Sequence, residues 1–169
     1  ATVHDADLCR RYTATVIENI VSGESPTWMQ RRLASVGQRS INLAVDLTNY
    51  VMIAVGQPTH AFDARELANS AIHIRRAKEK EKLELLDGTS IELSSEMSTV
   101  VLESGTFDAV NVRRSATKLG LRTESSMRFD KGIDCVRALD AVHLFVHLLK
   151  EIQPGISVTS FVDVFPRPF

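Results

Sequence analysis

The stretch from Arg39 to Asp63 constrains this chain more than any other. Asn42 to Ala54 is largely apolar, yet Asp46, Thr48, Asn49 and Tyr50 interrupt it. Asn42 can cap a helix start and Gly56 can end one, so the pattern predicts a helix over Leu43 to Ala54. The run Val45, Leu47, Val51 and Ile53 is also compatible with a strand. Polar groups in a segment built for burial need partners, because a desolvated and unpaired one is destabilising. Such a cluster is either a satisfied network or a site, and composition alone favours the network. Gln57-Pro58-Thr59-His60 follows and reads as a turn that presents the imidazole.

Around this stretch the pattern alternates between element types. Arg11 to Val21 is rich in β-branched residues and suits a strand. Ser25-Pro26 reads as an N-cap and a first-turn proline opening a short helix through Trp28, Met29 and Leu33 to Gly37. Between Ala71 and Leu102 come short strand-like pieces at Ile72–Ile74, Leu83–Leu86, Ile91–Leu93 and Val100–Leu102, with a hairpin signal at Asp87-Gly88. Asp108 can cap a helix to Leu119 that Gly120 ends. Asp134 is expected to cap a longer helix, Cys135 to Ile152, with Val136, Leu139, Leu144, Leu148 and Ile152 near one face. A last strand, Ile156 to Val164, leads into a proline-rich end. Helices outside a strand-rich middle imply an α+β fold, with mixed or antiparallel sheets flanked by helices.

At 169 residues, 44% hydrophobic and 24% charged, the chain suits one domain with an ordinary core. Its net charge of −1 gives no global field for nucleic acid, so any RNA contact needs a local basic patch. Cys9 and Cys135 fit neither a disulfide framework nor a zinc spacing, which points to a reduced, cytoplasmic setting. Neither a signal-peptide core nor an initiator Met opens the sequence, and no apolar run approaches the roughly 20 residues of a membrane span. A segment of a larger protein is the expectation.

Two further stretches carry chemistry. Leu102 to Asp108 places Glu103 at the end of an apolar run, where it either faces solvent, pairs with an arginine or binds a ligand. Lys118 to Asp134 mixes glycine, hydroxyls and cations. From Arg113 to Lys131, the cations Arg113, Arg114, Lys118, Arg122, Arg128 and Lys131 face only Glu124 and Asp130, a patch suited to phosphates. His143 and His147 are four apart on one helix face, but Leu-Phe-Val between them supplies no catalytic Glu, so no metal site is inferred. No phosphate-cradling glycine loop and no nucleophile elbow is present.

Taken together, these stretches resemble the central editing domain of the phenylalanyl-tRNA synthetase beta subunit. The resemblance rests on Arg39-x-Ile41-Asn42-x-x-Val45-Asp46-x-Thr48-Asn49-Tyr50-Val51-Met52 and on Gly56-Gln57-Pro58-x-His60-Ala61-Phe62-Asp63. A Leu102-Glu103-Ser104 element and the run Gly120-Leu-Arg-Thr-Glu-x-Ser-x-Arg-Phe129 complete it. It covers roughly residues 12–163. It implies one editing domain over 1–169, a fragment of a larger beta subunit that attaches Phe to tRNA(Phe), and hydrolysis of misacylated Tyr-tRNA(Phe).

By that resemblance Thr48, Asn49 and His60 would position and polarise the ester, with Pro58 lining the pocket beside them. Glu103 would receive the tyrosine phenol, while Thr123 and Ser125 would wall the ring, the family usually having Ala at the second position. Arg113, Arg114, Lys118 and Arg122 would contact the tRNA. No cofactor belongs to this domain. ATP and Mg²⁺ would act in the parent synthetase, with the alpha subunit as partner in an alpha2-beta2 heterotetramer. One departure stands out: the family carries a longer segment between Gly88 and Val101, ending in a Gly-rich loop that closes part of the pocket. Here Ser94 to Thr99 bridges that distance directly. With Ser125, this motivates an alternative, a non-catalytic RNA-binding or structural module of the same subunit.

Overall fold

A computed structural model describes residues 1–78 and 98–166. Its centre is a four-stranded antiparallel sheet in the order β3 (Thr59–Asp63), β5 (Thr99–Phe107), β2 (Cys9–Glu18) and β6 (Ser157–Val164). A separate two-stranded parallel pair joins β1 (Thr2–Val3) to β4 (His73–Ile74). The helices are α1 (Thr27–Ser35), α2 (Leu43–Val55), α3 (Ala109–Leu119), α4 (Glu124–Phe129) and α5 (Arg137–Ile152). The fold is α+β.

Period-two alternation gives the sheet two different faces. On one, Ile17, Ala61, Val100 and Leu102 pack against Leu47 and Val51 of α2 and Ala141, Phe145 and Leu149 of α5, forming the larger core. The other face carries Tyr12, Ala14 and Val101, joined by Cys9, Phe62, Leu67, Ile72 and Phe107 in a smaller apolar cluster. Arg11 fastens β6 to β2 through a two-pronged bond to Asp163, at 2.9 and 2.6 Å, and donates to the Cys135 carbonyl at 3.2 Å. Both cysteines are free and buried. No described helix is long and apolar enough to cross a membrane.

Local signals placed two helices correctly. The Asn42 side chain accepts from Val45 N at 3.0 Å and Gly56 closes α2 in the left-handed conformation. Asp108 and Gly120 do the same for α3. Elsewhere the structure corrects the reading. Gln57 to His60 is no simple turn, because Thr59 and His60 already belong to strand β3. Pro26 rather than Ser25 caps α1, since the Ser25 hydroxyl is drawn to Asp46. Asp134 accepts from Val136 N outside the helix, and α5 starts two residues later than expected, at Arg137. The buried face of α5 is Ala138, Ala141, Val142, Phe145 and Leu149, rotated from the expected leucine row. Small alanines let the helix approach its neighbours, while Leu144, Leu148 and Ile152 pack at the margin. The strand pieces expected at Leu83–Leu86 and Ile91–Leu93, with the Asp87-Gly88 hairpin, lie outside the described residues.

Asp46 resolves the question its burial posed. Fully enclosed in α2, its carboxylate accepts from Ser25 Oγ at 2.5 Å, from Ser40 Oγ and from Ile41 N at 2.8 Å. It is a satisfied network that pins both chain segments leading into α2. Removing a buried charged acceptor strands its donors, each at roughly 1–3 kcal/mol. Asp46→Ala is therefore expected to lower stability by about 3 kcal/mol or more in denaturant unfolding; a loss under about 1 kcal/mol refutes the role.

Candidate functional site

Strand register assembles the site. His60 on β3 lies opposite Glu103 on β5, and Glu103 lies opposite Ala14 on β2. Directly opposed residues share a face, with Cβ atoms about 5 Å apart. The imidazole and the carboxylate are therefore neighbours on the sheet face turned away from the core helices. Phe62 stands against the imidazole, ring centroids 4.4 Å apart and tilted edge-on.

Glu103 is half-buried. Its Oε2 accepts a hydrogen bond from the Tyr12 hydroxyl at 2.5 Å. Burial pushes the Glu103 carboxyl above the usual range, and the Tyr12 hydrogen bond opposes that shift. Burial, the nearby Glu103 charge and their hydrogen bond all push the Tyr12 phenol upward, so it stays protonated and donates. The Tyr12 ring and the Phe107 ring both cover Gly105, each within 3.1 Å of where a Cβ would stand.

Helix α2 delivers the next residues. Thr48 is buried and its hydroxyl donates to the Val45 carbonyl at 2.7 Å. Asn49 is half-buried beside it in sequence. The link from α2 into β3 is held by buried Gln57, whose Nε2 donates to the carbonyls of Pro58 at 2.9 Å and Gly105 at 2.8 Å. This bond ties buried Pro58 to the strand that carries Glu103.

Helix α4 covers Glu124–Phe129, a stretch to which the sequence pattern assigned no element. Thr123 is its N-cap: Thr123 Oγ1 accepts from Ser126 N at 3.1 Å while Ser126 Oγ accepts from Thr123 N at 2.9 Å. Ser125 Oγ contacts Met52 Sδ at 3.5 Å, one turn of α2 beyond Thr48. At the other end Phe129 meets Phe107 edge-on at 5.2 Å. Helix α4 thus touches both α2 and the strand bearing Glu103.

The basic residues divide. Arg113, Arg122 and Lys131 line an open hollow of about 530 Å³ with Thr117, Ser126 and Asp130. Arg114 and Lys118 are exposed on the same helix but do not line that hollow. Arg113 also donates to the Asp130 carbonyl at 2.6 Å, joining α3 to the end of α4. Of the paired histidines on α5, both are exposed, and His147 lies 3.5 Å from Glu151.

A family model described as the B3/4 domain matches residues 8–99 and 94–154. The chain belongs to the B3/4 domain family. The two matched stretches of the B3/4 domain meet at 94–99, the short bridge noted in the sequence. The phenylalanine–tRNA ligase beta subunit of Geobacter metallireducens is 39% identical over 193 positions, covering 98% of this chain and 24% of that protein. Those of Clostridium tetani and Carboxydothermus hydrogenoformans are each 36% identical, over 96% and 99% of this chain. This B3/4 domain spans about a quarter of the length of the curated relatives it matches. The alignment of 193 positions against 169 residues leaves at least 24 positions of the Geobacter protein without a counterpart here.

Tyr12 is the contact that sequence reading missed. It lies in a stretch read only as a strand, and its partner Glu103 is 91 residues away. The aromatic step Phe107–Phe129 was hidden for the same reason.

The His60 environment has a pH consequence. His60 is exposed as a residue, but surrounding protein withdraws enough water from the ring to lower its pKa. Below about pH 6.5 the unfolded chain takes up the His60 proton before the folded one does. The stability associated with this residue is therefore complete above that pH and is lost as the pH falls through the depressed folded value. His60→Gln is expected to flatten the decline in stability between about pH 7 and 5 relative to the parent chain. Unfolding curves at several pH values, with an NMR titration of the His60 ring, check this; a titration midpoint above that of a free histidine overturns it.

Proposed function

We propose that this chain is the editing domain of a phenylalanine–tRNA ligase beta subunit and that it removes tyrosine from misacylated Tyr-tRNA(Phe). The observation that carries this reading is Glu103: a half-buried carboxylate, beside His60, already in hydrogen-bond geometry with a phenol hydroxyl. Phe and Tyr differ by that hydroxyl alone. A site built to bind the larger amino acid needs an acceptor for it, and a carboxylate makes a stronger O–H···O⁻ bond than a neutral oxygen. Bound Phe would leave the acceptor desolvated and unpaired, at roughly 1–3 kcal/mol. Correctly charged tRNA is thereby spared.

The chemistry asks little of the protein. An aminoacyl ester is activated, so a positioned water can attack its carbonyl carbon; the ester C–O bond then breaks, and the terminal ribose oxygen leaves with a proton. Asn49 and Thr48 on α2 and His60 on β3 are the groups assigned to orient the ester and polarise its carbonyl. With its pKa lowered, His60 is neutral at pH 7 and can either accept or donate a hydrogen bond. Pro58, Thr123 and Ser125 form the wall. Ser125 presents a hydroxyl where the family usually has a methyl. Arg113 and Arg122, with Arg114 and Lys118 further along the surface, supply the positive charge that would receive tRNA phosphates. Charging of tRNA(Phe) with Phe, using ATP and Mg²⁺, would take place in the cytoplasm on an alpha subunit within an alpha2-beta2 assembly. None of those reagents acts in this domain.

A second reading follows from the short 94–99 bridge: a domain lacking part of its pocket closure could serve only as an RNA-binding or structural module. Deacylation by the complete ligase separates the two. The editing reading expects hydrolysis of Tyr-tRNA(Phe) well above that of Phe-tRNA(Phe). Glu103→Ala is expected to slow that hydrolysis about ten- to a hundredfold, leaving Phe charging nearly unchanged. A parent ligase that hydrolyses neither substrate supports the module reading; a fully active Glu103→Ala ligase removes Glu103 from phenol recognition.

A further inference from the structure

Glu103 has two carboxylate oxygens, and the protein uses them differently. Oε2 accepts from Tyr12, while Oε1 accepts no hydrogen bond from the described residues. Tyr12 is fully buried on β2, and its ring lies against Gly105. We propose that Tyr12 is a positioning and specificity-determining residue: its hydroxyl occupies one oxygen of Glu103, fixes the carboxylate plane, and reserves the other oxygen for the substrate phenol. The inference rests on the editing reading and adds to it a residue that never meets the substrate.

Two consequences follow from the chemistry of a carboxyl group. Ionised, it only accepts, so it discriminates sharply between a ligand with a phenol O–H and one without. Protonated, it carries its own donor, and leaving it unpaired beside a Phe ring matters less. Burial favours the protonated form, and the Tyr12 hydrogen bond opposes it. Among the described residues, His60 opposite it on β3 and Cys9 at the start of β2 are the other titratable groups near Glu103. His60 is neutral near pH 7 and the Cys9 thiol is pushed upward by burial, so neither supplies a positive charge to hold Glu103 ionised. Tyr12 is thus the hydrogen-bond donor that keeps the carboxylate an acceptor.

The test is made in the complete ligase. Tyr12→Phe keeps the ring that covers Gly105 and deletes only the hydroxyl. The ratio of Tyr-tRNA(Phe) to Phe-tRNA(Phe) hydrolysis should fall about tenfold, and the acid limb of the editing pH profile should move to higher pH. Replacing Tyr12 with 3-fluorotyrosine, a stronger donor of the same shape, should move that limb to lower pH with selectivity kept. A purely structural role would leave both limbs in place. Unchanged selectivity and pH profile in Tyr12→Phe overturn the proposal while the parent ligase still edits. Should Tyr12→Phe fail to fold, judged by lost Phe charging and melting, the fluorotyrosine profile decides alone, and an unmoved limb is then the refuting result. A parent ligase without editing sinks the underlying reading instead.

Discussion

The pairing of β5 with both β2 and β3 is the constraint on which the rest of this structure depends. Nine registered positions join β5 to β2, from Cys9 opposite Phe107 to Glu18 opposite Thr99, and five more join it to β3. A slip of one residue would turn Glu103 into the helix-facing core and bring Leu102 or Ser104 to the other face. The register is protected because the two faces are chemically unlike. Val100 and Leu102 are fully enclosed against α2 and α5, whereas Glu103 needs the Tyr12 hydroxyl on the opposite side. Core packing and site geometry are set by one pattern of alternation.

Around that strand the polar groups fall into two kinds. Asp46 has its three donors, and Arg11 its two-pronged carboxylate, so both complete the scaffold. Among the described residues, no side-chain hydrogen bond engages Glu103 Oε1, Asn49 or His60. In the segment whose composition left both readings open, that difference marks Asp46 as network and keeps Asn49 and His60 as candidate site residues. Asp46 belongs to the scaffold.

Much of this was legible in the residues, and the failures have a common cause. Asn42 with Gly56, and Asp108 with Gly120, announce helices because capping is chemistry between near neighbours in sequence. His60 was read as part of a turn because its strand exists only by pairing with β5, some forty residues on. The inward face of α5 was misplaced because Ala138 and Ala141 carry a weak apolar signal yet are fully buried. The family motifs named Glu103, His60 and Ser125, but no local pattern reveals that Tyr12 already holds one of the Glu103 oxygens. Contacts between distant segments are where reading along the chain ends.

Gly105 makes the last point. Its missing side chain lets two aromatic rings close over the backbone, one of them carrying the hydroxyl bound to Glu103. A methyl group there would meet both rings at once, and whichever yielded would carry the disturbance either to the acidic group or, through Phe129, to the helix capped by Thr123. The smallest residue on the strand is therefore a mechanical junction, through which drift at an unreactive position would reach the proposed discriminating chemistry without altering any residue assigned to it.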